Sequence, residues 1–216
     1  LRSNNLDKDS VYKKKIEKGE FYFFKRKEQK TKTIDLLEKY TPQILEEISW
    51  KKSMKWGDFS LNWARPLKSI LGIFDNKKLS FKFYHLECSN TTFIDKDFED
   101  KTKTFKDFKQ YKTYFKKLGI IIDQNLRKNF IEKELHKISK KKNIFVEINK
   151  KLLEEVTDLV DQPYILFCKF DQKFLKIPKE ILVITMEHHQ KYFHTFDQKG
   201  NITNQFLVVA NNKDIK

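Results

Sequence analysis

Three features of this 216-residue chain predict an α+β fold, a mixed to antiparallel sheet with flanking helices. Two runs, 67–74 and 79–86, have strand composition and enclose a short polar stretch. The last third alternates segments of helical and strand period. Only 5 Gly and 4 Pro leave no flexible hinge of any length between elements. A chain of this size buries roughly 70% of its unfolded surface, as one large or two small domains.

Residues 20–27 (EFYFFKRK) read as an aromatic-rich strand. A helix follows from Thr33 to about Trp50, with Ile34, Leu37, Ile44, Leu45 and Ile48 largely on one face, and Pro42 predicts a kink or break. The strand 67–74 (LKSILGIF) turns through Asp75-Asn76-Lys77-Lys78 into 79–86 (LSFKFYHL), where Leu79, Phe81 and Phe83 alternate with Ser80, Lys82 and Tyr84. Phe105, Phe108, Tyr111 and Phe115 place a helix at 104–117. Gly119 supplies its stop, and Ile120–Ile122 read as a short buried strand. Asp123 caps a second helix to about Lys142, with Phe130, Ile131, Leu135 and Ile138 on its apolar side. The remainder reads helix 149–161, strand 164–170, helix 178–189, strand 192–197 and strand 202–210, the last two joined by a turn at Asp197-Gln198-Lys199-Gly200. The implied organisation is a strand and helix over 1–55 leading into an α+β domain over 56–216, with a basic helical insertion at about 96–148. A start at Leu1 without methionine and a polar finish, NNKDIK, suggest a piece of a longer chain.

The net charge of +15 is unevenly spread: residues 1–55 carry +6, 56–95 carry +1, 96–151 carry +9 and 152–216 carry −1. An electropositive middle segment attracts polyanions, because neutralised phosphates release condensed counterions. Composition offers a competing account. Only four of the 45 basic residues are Arg, and Lys with abundant Phe, Ile and Asn is what an AT-rich genome imposes. Arg, not Lys, is favoured for bidentate phosphate recognition. The lysines of both central helices lie opposite the apolar stripes, which fits a solvated face as well as an RNA-facing one. Cys88 and Cys168 fit no zinc or redox spacing and suit a reducing cytosol. No apolar stretch reaches the ~18 residues that span a bilayer, so the expected setting is soluble and cytoplasmic, with no membrane partner.

Several chemistries are excluded by residue type and spacing. Gly19, Gly57, Gly72, Gly119 and Gly200 are never closer than fifteen residues, so no glycine-rich loop exists to cradle phosphates. His188, His189 and His194 cluster without the further ligands of a zinc site. Glu154 and Asp158, four apart on a helix, form an exposed like-charged pair instead of an acid/base couple. Ser53, Ser60, Ser69 and Cys88 lie in no motif that activates a nucleophile.

What these runs do carry is a resemblance. Leu153, Glu155, Val156, Leu159, Val160 and Pro163 are followed by Phe174, Leu175, Pro178, Glu180, Leu182, Thr185 and Met186, then by Gln190, Lys191, Tyr192 and Phe193. Together with MKWG (54–57) and ARP (64–66), their order and spacing resemble the β subunit of bacterial glycyl-tRNA synthetase. The likeness covers nearly the whole chain, most firmly 50–75 and 150–212, and only loosely 80–145. It implies an internal region lying after an N-terminal segment and before a helical region and an anticodon-binding domain. It also implies a module akin to the B3/B4 part of the phenylalanyl enzyme's β subunit. In the family, glycine activation with ATP and Mg2+ belongs to the α subunit. This region is then catalytically silent, holds no cofactor, and has the α subunit (in an α2β2 heterotetramer) and tRNA(Gly) as partners. KKSMK at 51–55 superficially resembles a class I lysine loop, but the order is wrong and the partner histidine motif is missing.

The candidate RNA-binding residues are Lys51, Lys55, Arg65, Arg127, Lys128, Gln190 and Lys191. Arg65 adjoins Trp56 and Trp63, where a guanidinium can fork a phosphate or stack on a base, or simply pack over its own tryptophans. Gln190 and Lys191 can contact RNA or the α subunit, or merely fix a turn, while Tyr192 and Phe193 are expected in the core. At 86–93 the chain reads LECSNTTF where the family is expected to carry a basic Gly-His-Arg-Phe-type segment, which weakens any carry-over there. A pure scaffold that only docks subunits stands as the alternative, and a relic hydrolytic domain as a third possibility.

Overall fold

The computed structural model describes residues 11–24, 30–94 and 101–211, and its contacts divide the chain into two compact units, 1–104 and 105–216. The fold is α+β, with five α-helices and several small sheets among the described residues.

In the first unit, β1 (Val11–Ile16) and β2 (Gly19–Phe24) form a hairpin in which Ile16 faces Gly19. The strand expected at 20–27 is thus β2, with its last residues outside the described ones, and β1 was not foreseen. Helix α1 (Thr33–Glu47) runs through Pro42 without a break. Pro42 only forfeits one internal hydrogen bond, and the helix has no fully buried residue that a small distortion would displace. Glu38 Oε1 accepts from the Ser80 amide at 2.7 Å and ties α1 to the strands.

Those strands are shorter than expected. β3 (Ile70–Leu71) and β4 (Ile73–Phe74) are separated at Gly72, where a Cβ would stand 2.5 Å from the Cys88 sulfur. The turn to β5 (Lys77–Lys78) uses only Asp75 and Asn76, both at positive φ, as tight hairpins favour. Run 79–86 keeps its inward–outward alternation but not its continuity. Tyr84 sits at φ 55 and splits it into β6 (Lys82–Phe83) and the start of β7 (Leu86–Ser89), which pair antiparallel. β7 also pairs in parallel with β3, and β8 (Thr91–Phe93) pairs with β9 (Thr102–Thr104). The residues expected to open a helix at 104 therefore end a strand first. Leu61, Leu79, Phe83, Leu86 and Cys88 are buried.

In the second unit, α2 (Phe108–Lys117) starts where the Asp107 carboxylate accepts from Gln110 N. It stops at Gly119, φ +79, with Gly119 N bonded to Lys116 O and Ile120 N to Phe115 O, both at 3.0 Å. This double bond pattern needs a left-handed residue. Residues 120–122 form no strand. Beyond the Ile120 bond to the end of α2, Ile121 N donates to Asp161 O at 2.8 Å and fastens them as a connector. Helix α3 (Gln124–Lys142) is capped by Asp123 as expected and ends on Asn143 at φ 53.

A four-stranded antiparallel sheet follows, in the order β10 (Phe145–Val146), β12 (Phe193–Phe196), β13 (Ile202–Ala210), β11 (Tyr164–Lys169). Ile131 and Leu135 of α3 pack with Leu152, Leu153 and Val156 of α4 (Lys150–Leu159) against Phe193 and Leu207 of the sheet. Successive side chains of a strand point to opposite faces, so His194 and Phe196 look the other way, towards α5 (Lys179–Ile184). The helix expected over 178–189 is α5 plus a π-helical turn, Thr185–Gln190, which leaves through Lys191 at φ 60. A 3-10 turn at Gln172–Lys176 was also not foreseen.

At Gly119 an added Cβ would stand 2.9 Å from the Gln162 amide nitrogen, in a backbone conformation that L-residues avoid. Gly119→Ala is expected to cost about 1–2 kcal/mol, seen as a lower urea midpoint at unchanged m-value.

Candidate nucleic-acid interface

The buried stripe of α3 leaves its other face to lysines. Lys133, Lys137 and Lys140 recur at spacings of four and three, the period that aligns side chains on one helix face. All three are exposed, on the side opposite Ile131, Leu135 and Ile138. Among the described residues, Lys137 alone of them has an ion-pair partner, Glu134 on the same helix at 3.0 Å. In α2, Lys109, Lys112 and Lys116 repeat the pattern, while Tyr111 and Phe115 turn towards Phe105 at ring distances of 5.2 and 5.9 Å.

The residues singled out in the sequence fall into different environments. In the first unit, Lys51, Lys55 and Arg65 are all exposed. They border a loop closed by the Met54–Trp63 bridge, whose reciprocal backbone bonds measure 2.8 and 3.1 Å. The tryptophans there pack on one another and on Phe83: Trp50 to Trp63 at 4.9 Å, Trp63 to Phe83 at 5.6 Å. Phe59 stacks on His85 at 3.6 Å. Trp50 and Phe59 nonetheless remain 39% and 42% exposed, so the loop offers aromatic surface beside cations.

In the second unit, Arg127 is a strut. Its Nε donates to Thr157 O at 2.9 Å and its Nη1 to Ile121 O at 2.6 Å, joining α3, α4 and the 120–122 connector. Lys128 and Lys191 are brought together on α4, whose adjacent carboxylates receive them: Lys128 to Glu154 and Lys191 to Glu155, each at 2.8 Å. Lys128 holds the Glu154 carboxyl below the usual range through its hydrogen bond and its charge. Asp158 repels Glu154 as expected, its charge working against the Lys128 effect, and it also accepts from Gln124. Gln190 is exposed at the end of the π turn. Sequence spacing does not signal the pairs of Arg127 with Thr157, Lys128 with Glu154 or Lys191 with Glu155, whose partners are 26 to 36 residues apart.

The three histidines do not act together. His188 and His189 are exposed, whereas His194 is 2% exposed on β12. Among the described residues no group of His, Cys, Asp and Glu is arranged to hold a metal. Burial pushes the His194 imidazole below its ordinary value, opposed by the charges of Glu187 and Glu147. Cys88 and Cys168 are free thiols, and burial first, then the Glu38 charge, pushes Cys88 up. No helix among the described residues is long and apolar enough to cross a membrane.

An α+β scaffold presenting lysine rows and an aromatic–basic loop has the surface of a basic module. Comparison with known proteins sharpens this. The family model described as glycyl-tRNA synthetase beta subunit matches residues 1–216. Curated proteins named glycine–tRNA ligase beta subunit are similar to it: one from Rickettsia akari (strain Hartford) is 34% identical over 211 residues, one from Rickettsia canadensis (strain McKiel) 32% over 212, and one from Rickettsia africae (strain ESF-5) 34% over 212. Each alignment covers 98% of this chain and 32% of the relative, so the chain spans about a third of their length. The chain belongs to the glycyl-tRNA synthetase beta subunit family.

Arg127→Met leaves part-buried carbonyls without their guanidinium donors and is expected to cost about 1–3 kcal/mol, while Lys128→Ala, which removes an exposed pair, changes the denaturation midpoint little. An NMR titration of His194 is expected to show a midpoint below the ordinary value of about 6.5. The unfolded chain then takes up this proton first, so the His194 contribution to stability is present above the ordinary value and declines as pH falls below it.

Proposed function

We propose that this region is a non-catalytic tRNA-binding element of the β subunit of a glycine–tRNA ligase. In the whole enzyme the α subunit activates glycine with ATP and Mg2+, in an α2β2 assembly in the cytoplasm. Family membership supports the enzyme. The observation that carries the RNA contact is the row Lys133, Lys137 and Lys140, held on the outer face of a helix whose opposite side is locked in the core. A rigid helix carrying regularly spaced ammonium groups suits a phosphate backbone, which lysines meet as point charges without reading sequence. The Arg65 loop adds stacking surface for unpaired bases. Arg127, Lys128 and Lys191 already have protein partners, so their contribution to RNA comes only by exchange of those partners. Kinship with the B3/B4 module of the phenylalanyl enzyme belongs to the same reading.

A second reading, a scaffold that docks the α subunit without touching RNA, is favoured by those internal pairs. The two separate in one experiment on the complete enzyme. Reversing charge at Lys133, Lys137 and Lys140 is expected to weaken tRNA(Gly) binding on the order of tenfold and to lower the slope of log K against log salt by roughly one per lost contact. Unchanged affinity and slope in an intact assembly would favour the scaffold instead.

A further inference from the structure

Beside the RNA-facing helices, the second unit contains a trough that the tRNA reading does not use. A cavity of about 430 Å³ lies between α5 and β12, with His194 in its lining. A second cavity, about 390 Å³, shares the wall formed by Glu147, Lys179 and Phe196. His194 is 2% exposed, and its Nδ1 is a buried polar atom without a hydrogen-bond partner among the described residues. Glu187 Oε1 stands 3.3 Å from that nitrogen, within ion-pair distance but poorly directed for a hydrogen bond. Glu147 Oε2 stands 3.7 Å from Nε2, on the other side of the ring. Buried polar atoms are nearly always partnered, so an orphan on a residue that lines a cavity points to a missing group.

The charges say which group. Glu147, Glu180 and Glu187 line the first cavity, against one Lys or Arg among its described lining residues, Lys179. The Lys179 ammonium lies over the Phe196 ring at 4.6 Å and forms no ion pair with these carboxylates. The Glu187 side chain is only 11% exposed, and its second oxygen accepts from Asn149 Nδ2 at 2.9 Å. With a neutral imidazole the lining carries two uncompensated negative charges. They are separated by apolar wall from Val183, Ile184 and Phe196. In the adjoining cavity, Asp197 adds no free acceptor row, because its Oδ1 accepts from the Lys199 and Asn201 amides and its Oδ2 from Asn201 Nδ2. A metal ion is a poor match, since the two carboxylates flank opposite ring nitrogens and do not converge on one point. An ammonium group supplies donors to a carboxylate and to a ring nitrogen together, and methylenes suit the apolar wall between.

We propose that this trough binds an aliphatic diamine, one ammonium at Glu187 beside the His194 ring and the other at Glu147. The site is independent of the RNA contact and of the enzyme's chemistry.

The test is titration of the 216-residue chain with 1,4-diaminobutane at fixed ionic strength, followed by calorimetry and by the His194 and Phe196 ring resonances. Saturable one-to-one binding that moves both rings is expected, with 1-butylamine at least tenfold weaker and 1,4-butanediol silent. Glu187→Gln should weaken the diamine at least tenfold. Should that variant misfold, Glu147→Gln, at an exposed position, should weaken it by several-fold. Lys179→Met should tighten binding by removing the competing cation. Ring resonances unmoved by millimolar diamine would overturn the proposal, as would equal shifts from added NaCl or undiminished affinity in both glutamate variants.

Discussion

Strand β12 is covered on both faces, and every side chain from Phe193 to Phe196 is buried. Phe193, with no exposed surface, sits in the layer built by α3 and α4, while His194 and Phe196 face α5. A strand enclosed this way must find internal partners for whatever polar groups it carries. Thr195 does so through the irregularity in its pairing with β13: its hydroxyl donates to Gln205 O at 2.8 Å and meets Thr203 Oγ1 at 2.6 Å. His194 does so only in part. The difference between these neighbours separates a polar group that closes the fold from one left open to chemistry.

The same layering sorts the basic residues. Helix α3 puts Ile131 and Leu135 into the core, so its lysines are left to its edges and its outer face. Lys128 meets Glu154 of α4, Lys142 lies over the Phe167 ring, and Lys133, Lys137 and Lys140 face solvent. Exposed pairs of this kind contribute little to stability, yet they determine which ammonium groups stay available to a polyanion. A high lysine content from a biased genome and a functional basic surface are therefore compatible: composition supplies the residues, and packing decides which are free.

Much of the architecture was legible in the sequence where one element's own pattern decides it. The Asp123 cap, the Gly119 stop, helices α3 and α4 and strands β11 to β13 lie within a few residues of expectation. Local pattern failed where the backbone does something that side-chain period does not encode. Tyr84 at positive φ leaves the alternation of 79–86 intact while breaking the strand, and Pro42 sits in a helix that tolerates it. Ile120–Ile122 are apolar enough for a strand but find no ladder to join. At the candidate site, the sequence left open whether Arg65 is free or packed over its own tryptophans, and the strut role of Arg127 depends on carbonyls brought in by tertiary structure.

The π-helical turn at Thr185–Gln190 carries one residue more than α-helical phase would allow. That surplus sets the angle at which the chain leaves towards β12, with Lys191 reaching Glu155 on one side and Glu187 beside His194 on the other. Excising a single residue here would relax the turn into ordinary helix and rotate everything after it by about 100°. Both contacts would be lost at once although neither partner had changed. Spacing in this stretch is thus constrained more tightly than identity, and a one-residue gap is a harsher change than most replacements.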